Sequence, residues 1–138
     1  MSGESKAGRS EALARRLAEL ADAKAAGEIL VLDMRGLVAY TDFLVICTAR
    51  NERQARAIAD EAKLRLKQED EQLLPAGSEA PEAAGWIVLD YLDCVLHVFT
   101  AEERERYQLE DLWREAPRLE VQTQQDGVRG HLYGAAHG

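Results

Sequence analysis

The stretch from Trp86 to Trp113 constrains this chain more than any other. It reads Trp-Ile-Val-Leu-Asp-Tyr-Leu-Asp-Cys-Val-Leu-His-Val-Phe and passes straight into Thr-Ala-Glu-Glu-Arg-Glu-Arg-Tyr-Gln-Leu-Glu-Asp-Leu-Trp. Its β-branched and aromatic density, interrupted at Leu92-Asp93, predicts two strands joined by a tight turn. A two-residue turn sets Tyr91 against Cys94, and therefore Asp90 against Val95, Val88 against His97 and Trp86 against Phe99. Side chains alternate along a strand, so Ile87, Leu89, Tyr91, Cys94, Leu96 and Val98 share an apolar face. The opposite face carries Trp86, Val88, Asp90, Val95, His97 and Phe99, a mixture that suits a partner surface or a site better than a core. Leu92 is the weak point, because a primed turn prefers Gly, Asn or Asp there. A longer turn would carry His97 to the other face.

The rest of the chain supplies what this hairpin needs to pack against. Small polar residues predict disorder over 1–9, and Ser10 is placed to cap a helix running to Ala26 and ending at Gly27. Leu13, Leu17, Leu20 and Ala21 form its apolar stripe. Residues 28–34 and 42–48 are nearly continuous apolar runs, hence strands covered on both faces. The seven residues between them favour an antiparallel pair. Asn51, with Gln54 three residues on, caps a second helix whose Ala55, Ile58, Ala59, Ala62 and Leu66 recur at helical spacing. Residues 71–85, with Pro75, Gly77, Pro81 and Gly85, read as a flexible loop. Thr100 with Glu103 forms a capping box that opens a third helix, and Pro117 bars its extension.

The element order α-β-β-α-β-β-α predicts one α/β domain over residues 10–121: a mixed sheet of at least four strands flanked by helices. A right-handed parallel crossover fits the strand–helix–strand passage from residue 42 to 91. The polar, Gly-rich tail over 122–138 reads as disordered.

Charge and cysteine usage narrow the function classes. Across 138 residues the net charge is −8, which opposes direct nucleic-acid binding and favours a basic protein partner, solubility being the plainer alternative. No apolar run approaches the ~20 residues of a membrane span, and the amino terminus lacks a signal-peptide core; both point to the cytoplasm. Cys47 and Cys94 sit in strand-like runs and read as buried free thiols of a reducing compartment.

Candidate chemistry is sparse. No phosphate-cradling Gly loop occurs, and Cys47, Cys94 and His97 are too dispersed for a zinc site. The one catalytic constellation is acidic: Asp33, Asp42, Asp90 and Asp93 near His97, which could hold a divalent metal for nucleotidyl or phosphoryl transfer. Aspartates at strand ends also cap turns, and His97 equally fits a hydrogen-bonded, half-buried imidazole. Trp86 suits either a core or a partner-facing role. Segment 102–115 holds six acids against three arginines, with Tyr107, Leu109, Leu112 and Trp113 too bulky for a wholly solvated helix.

Taken together, residues 86–99 and Arg106-Tyr-Gln-Leu-Glu-Asp-Leu-Trp113 closely resemble the ribosomal silencing factor family (RsfS, also called Iojap-like). Asp33, the run Tyr40-Thr-Asp-Phe-Leu-Val-Ile46, and Gln54, Ala55 and Ala59 fit its amino-terminal half, so the resemblance covers residues 11–121. It implies a fold related to the nucleotidyltransferase architecture without the catalytic signature, no enzymatic activity, and no cofactor or metal. It further implies binding to the fourteenth protein of the large ribosomal subunit. Joining of the small subunit is then sterically blocked when nutrients are scarce. Neither membrane nor sequence-specific nucleic acid is implied, and a homodimer through the strand face is a further option. By motif position the partner-binding residues are Trp86, Asp90, Tyr91, Asp93 and His97, with Arg106, Tyr107, Glu110 and Trp113; Tyr107 and Trp113 alternatively anchor the helix to the sheet. The chain departs from the family at Thr48-Ala-Arg-Asn51, which replaces a Ser-Gly-x-Ser run, and at Ser78-Glu79-Ala80, where Glu-Gly is usual. Its tail after residue 121 has no counterpart in the motif.

Overall fold

The computed structural model describes residues 6–70, 74–79 and 85–123, without the side chains of 6, 7 and 77–79. In chain order the elements are helix α1 (Lys6–Ala23), strands β1 (Gly27–Asp33) and β2 (Phe43–Ala49), and helix α2 (Glu52–Glu69). Strands β3 (Gly77–Glu79), β4 (Trp86–Asp90) and β5 (Cys94–Thr100) follow. Two short helices, α3 (Ala101–Tyr107) and α4 (Leu109–Leu112), and the short strand β6 (Arg118–Leu119) complete the order. The strands form one mixed sheet in the order β3-β4-β5-β2-β1-β6.

The hairpin has the expected register: Trp86 faces Phe99, Val88 faces His97 and Asp90 faces Val95. β1 and β2 are antiparallel, also as expected. The parallel partner of β2, however, is β5, paired from Phe43–Cys94 to Ala49–Thr100. β4 runs against β5, so the expected parallel crossover into β4 does not occur. The chain leaving α2 first enters β3 at the sheet edge, inside the segment expected to be a loop, and then doubles back through β4. β3 went unread because Gly-Ser-Glu has no strand propensity; its pairing with β4 holds it.

Both faces of the sheet are covered, unequally. On one, α1 and α2 lay Ala14, Leu17, Ala55, Ile58, Ala62 and Leu66 over Val31, Phe43, Val45, Leu89, Leu96 and Val98. On the other, a smaller cluster joins Leu32, Met34, Leu44, Ile46, Val95 and Phe99, covered by Val38, Leu109, Trp113 and Ala116. The face expected to be open is thus part core, because the chain from α4 to β6 returns across it and β6 pairs with β1. No described helix is long and apolar enough to cross a membrane.

Local differences have local causes. α1 starts at Lys6, so Ser10 lies within the helix and donates its hydroxyl proton to Asp42 Oδ2 (2.8 Å), tying α1 to the start of β2. It ends at Ala23, and the turn after it is held by Gln54, whose side-chain amide donates to the carbonyls of Lys24 (3.0 Å) and Ala25 (3.1 Å). Asn51 caps α2 through the Gln54 amide (2.8 Å), and Thr100 caps α3 through the Glu103 amide (3.4 Å). The third helix is not continuous: Gln108 takes a left-handed conformation (φ 45°) and divides it into α3 and α4. The tail beyond Thr123 and residues 1–5 lie outside the described residues.

The β4–β5 turn stores strain. Leu92 has φ 70°, and the Asp93 amide donates to the Tyr91 carbonyl (2.8 Å), a tight three-residue turn that L-residues adopt reluctantly. Leu92 is 62% exposed, so little packing is lost when its side chain is removed. Leu92→Gly is therefore expected to stabilise the fold by about 1 kcal/mol, the relieved strain exceeding the added unfolded-state freedom. Chemical denaturation of the two proteins side by side checks this; a destabilised variant would contradict it.

Candidate functional site

Four aromatic rings meet where β4, β5 and α3 converge. The Trp86 ring lies 5.0 Å from Phe99, 4.6 Å from Tyr107 and 5.9 Å from His97, centroid to centroid. β-Sheet alternation puts Trp86, His97 and Phe99 on one face, and the capped first turn of α3 directs Tyr107 back over them. Phe99 is fully buried, Trp86 and His97 are half-buried, and Tyr107 is 48% exposed. The result is a graded aromatic surface, anchored below and open above.

One hydrogen bond orients it. The Trp86 indole N–H donates to His97 Nδ1 at 3.0 Å, which fixes the imidazole as the neutral tautomer with its proton on Nε2. Burial holds the His97 pKa down at about 4, with nearby Asp90 opposing the shift. A proton on Nδ1 would remove the acceptor that Trp86 uses.

The other sequence-predicted residues fall around this centre unevenly. Trp113 packs under the same face beside Leu109, which supports its anchoring role. Asp90 ends β4, and its Oδ1 accepts from the Leu92 amide (2.7 Å), so its carboxylate shapes the turn. Asp93 lies in that turn, its carbonyl accepting from the amides of Asp42 and Phe43. Tyr91 is buried on the opposite face, under α1 and α2, with no hydrogen-bond partner for its hydroxyl among the described residues. Burial pushes its pKa up to about 12. Arg106 is exposed and pairs loosely with Glu103 (3.5 Å). Glu110 is drawn inward by Arg104.

Arg104 is the residue the sequence did not single out. It is 6% exposed; its Nε donates to Glu110 Oε2 (3.0 Å) and its Nη1 to the Glu28 carbonyl (2.5 Å) and Thr48 Oγ1 (2.7 Å). One guanidinium thereby fixes α3 and α4 to the ends of β1 and β2. Its three-residue spacing from Tyr107 is the only signal available in the sequence, since both project toward the sheet. Arg104 and Glu110 also line a cavity of about 300 Å³ bounded by Glu28, Glu105, Gln108 and Asp111.

The acidic constellation does not assemble. Asp33 is held below the usual carboxylate range by the Arg35 guanidinium (2.9 and 2.7 Å), Asp42 accepts from Ser10, and Asp90 caps the turn. Among the described residues no three His, Cys, Asp or Glu side chains stand close enough to hold a metal ion. Cys47 and Cys94 are buried free thiols whose pKa values burial drives upward.

Comparison with known proteins places this architecture. The family model for "ribosomal silencing factor during starvation" matches residues 7–134. Ribosomal silencing factor RsfS of Halalkalibacterium halodurans is 37% identical over 101 residues, covering 73% of this chain and 85% of that protein. That of Bacillus subtilis is 39% identical, covering 72% and 83%. The chloroplastic protein Iojap of Arabidopsis thaliana is 34% identical over 80% of this chain and 45% of its own length. Among solved structures, one from Chromobacterium violaceum superposes with a TM-score of 0.68 at 26% identity, covering 79% of this chain and 87% of that one. Another, from Bacillus halodurans, gives 0.65 at 36% identity, covering 80% and 96%.

The low His97 pKa carries a stability consequence. Unfolded, His97 would bind a proton below its ordinary value of 6.5; folded, it resists until about 4, so stability falls as pH drops through that interval. The loss approaches about 3 kcal/mol at its lower end, by the linkage of 1.36 kcal/mol per pKa unit. His97→Gln, which keeps an acceptor for Trp86 but cannot titrate, is expected to have a shallower decline between pH 6.5 and 4 than the wild type. Parallel pH-dependent denaturation curves would refute this.

Proposed function

This chain belongs to the ribosomal silencing factor (RsfS, Iojap-like) family, and we propose that it silences translation by binding the fourteenth protein of the large ribosomal subunit and so obstructing the small subunit. The observation that carries this reading is the surface at Trp86, His97 and Tyr107 with its acidic surround. Tyr107 and Leu112 remain 48% and 68% exposed although they flank a packed cluster. Glu102, Glu105 and Asp111 are exposed on the same two helices. An aromatic centre that excludes water, edged by carboxylates, is what a basic protein partner requires for affinity and for steering.

Binding of this kind needs no turnover; its effect is steric. The rigid parts of the surface are set before any partner arrives: Trp86 by His97, and α3 and α4 by Arg104. Little ordering entropy is then left to be lost on docking. Asp90 and Arg106 flank this surface, where charges affect association rate more than affinity, whereas Asp93 lies beside residues of α1 and α2. Residence in the cytoplasm follows from the same reading.

Calorimetric titration with the purified fourteenth large-subunit protein tests it. Saturable one-to-one binding is expected. Tyr107→Ala should weaken it about tenfold and Trp86→Ala by 30-fold or more, on the scale of aromatic hot spots. Subunit joining followed by light scattering should slow in proportion. A folded wild type that neither binds nor slows joining would refute the proposal.

A further inference from the structure

The chain's negative charge is not evenly spread. Residues 50–69, which include α2, hold Arg50, Arg53, Arg56, Lys63, Arg65 and Lys67 against four acids, a local net of +2 in a chain of −8. Helical spacing gathers Arg53, Arg56, Lys63 and Lys67 into one strip on the side opposite the buried Ala55, Ile58 and Ala62. The strip extends about 21 Å at 1.5 Å per residue, with Asp60 in the turn between Arg56 and Lys63.

Most of the strip's cations hold no carboxylate. Acids outnumber cations 25 to 17, and elsewhere Arg15, Arg16, Arg35, Arg104 and Arg106 each hold a carboxylate. Arg53, Arg56 and Lys67 are exposed, with no ion pair or side-chain hydrogen bond to any described residue. Lys63 reaches only Asp60, at 3.7 Å. The strip also lies on the far side of the sheet from the aromatic surface, because α2 covers one face while Tyr107 and Trp113 pack against the other.

We propose that the outer face of α2 is a second interaction surface, binding the sugar–phosphate backbone of structured RNA without regard to sequence. Linear arrays of unpaired Arg and Lys gain affinity by displacing counterions condensed on phosphates, and the guanidinium fork matches phosphate oxygens. A lipid surface is a poorer match: Leu64 is the single large apolar side chain exposed on this helix, whereas interfacial helices carry an apolar face. The net charge keeps such binding weak and strongly salt-dependent.

The test is fluorescence-anisotropy titration of a labelled RNA hairpin of roughly 20 base pairs at about 50 mM salt, with the intact chain. Arg53→Glu/Arg56→Glu is compared with Arg114→Glu/Arg118→Glu, which changes the net charge equally in the carboxy-terminal segment. The α2 variant is expected to bind at least tenfold more weakly and to lose about 2 from the slope of log affinity against log salt, the control changing far less. Equal weakening in both variants would overturn the proposal, because net charge alone would then suffice. Absence of wild-type binding would also overturn it, as would retention on anionic phosphatidylserine vesicles without RNA binding. The α2 variant should still bind the ribosomal protein normally, so failure of this inference is distinguishable from failure of the silencing reading.

Discussion

The strand β5 is the constraint on which the rest depends. It pairs with β2 on one side over seven residues and with β4 on the other, so its backbone groups are satisfied only when both neighbours are in place. Its side chains divide the molecule. Cys94, Leu96 and Val98 enter the core beneath α1 and α2, while Val95 and Phe99 enter the smaller cluster on the opposite face. His97 takes the one position on that second face where an imidazole can meet a neighbouring indole. The docking surface is therefore the partly covered back of the central strands, an arrangement that makes it rigid.

Arg104 does for the helices what β5 does for the sheet. A buried guanidinium is costly to desolvate, and its three acceptors, one of them the Glu110 carboxylate, offset that cost. Those acceptors come from β1, β2 and α4, so the ion also dictates where the acidic helices lie. The break at Gln108 follows: a straight helix could not return Glu110 to Arg104 while leaving Tyr107 on Trp86. The left-handed Gln108 is thus where the backbone bends to serve the aromatic surface, while Leu92 bends it to close the β4–β5 turn.

The two sides of the sheet have acquired different electrostatic character. Carboxylates concentrate on α3 and α4 beside the aromatics, while Arg53, Arg56 and Lys67 on α2 have no ion pair to any described residue. A single net charge hides this division. It argued against nucleic acid as a whole-molecule property, whereas interactions within a Debye length respond to the local field. An acidic protein can therefore present a basic partner and a polyanion with different surfaces.

The amino-acid sequence by itself determined the seven longer elements, the hairpin register and the family. Alternation from Trp86 to Phe99 admits one pairing about a two-residue turn, and the motif from Arg106 to Trp113 is distinctive. Helical periodicity likewise identified the buried stripe of α2, because burial of one face is imposed locally. Tertiary structure decided which strands are neighbours: β3 has no propensity of its own, and the β2–β5 pairing spans about fifty residues that no local pattern records. It also decided that Arg104 rather than Arg106 is buried, that Tyr91 and Trp86 face opposite ways, and that Asp33, Asp42 and Asp90 serve turns and ion pairs. Each of those outcomes depends on which acceptor or ring arrives from a distant part of the chain, and a side chain's own type does not carry that information.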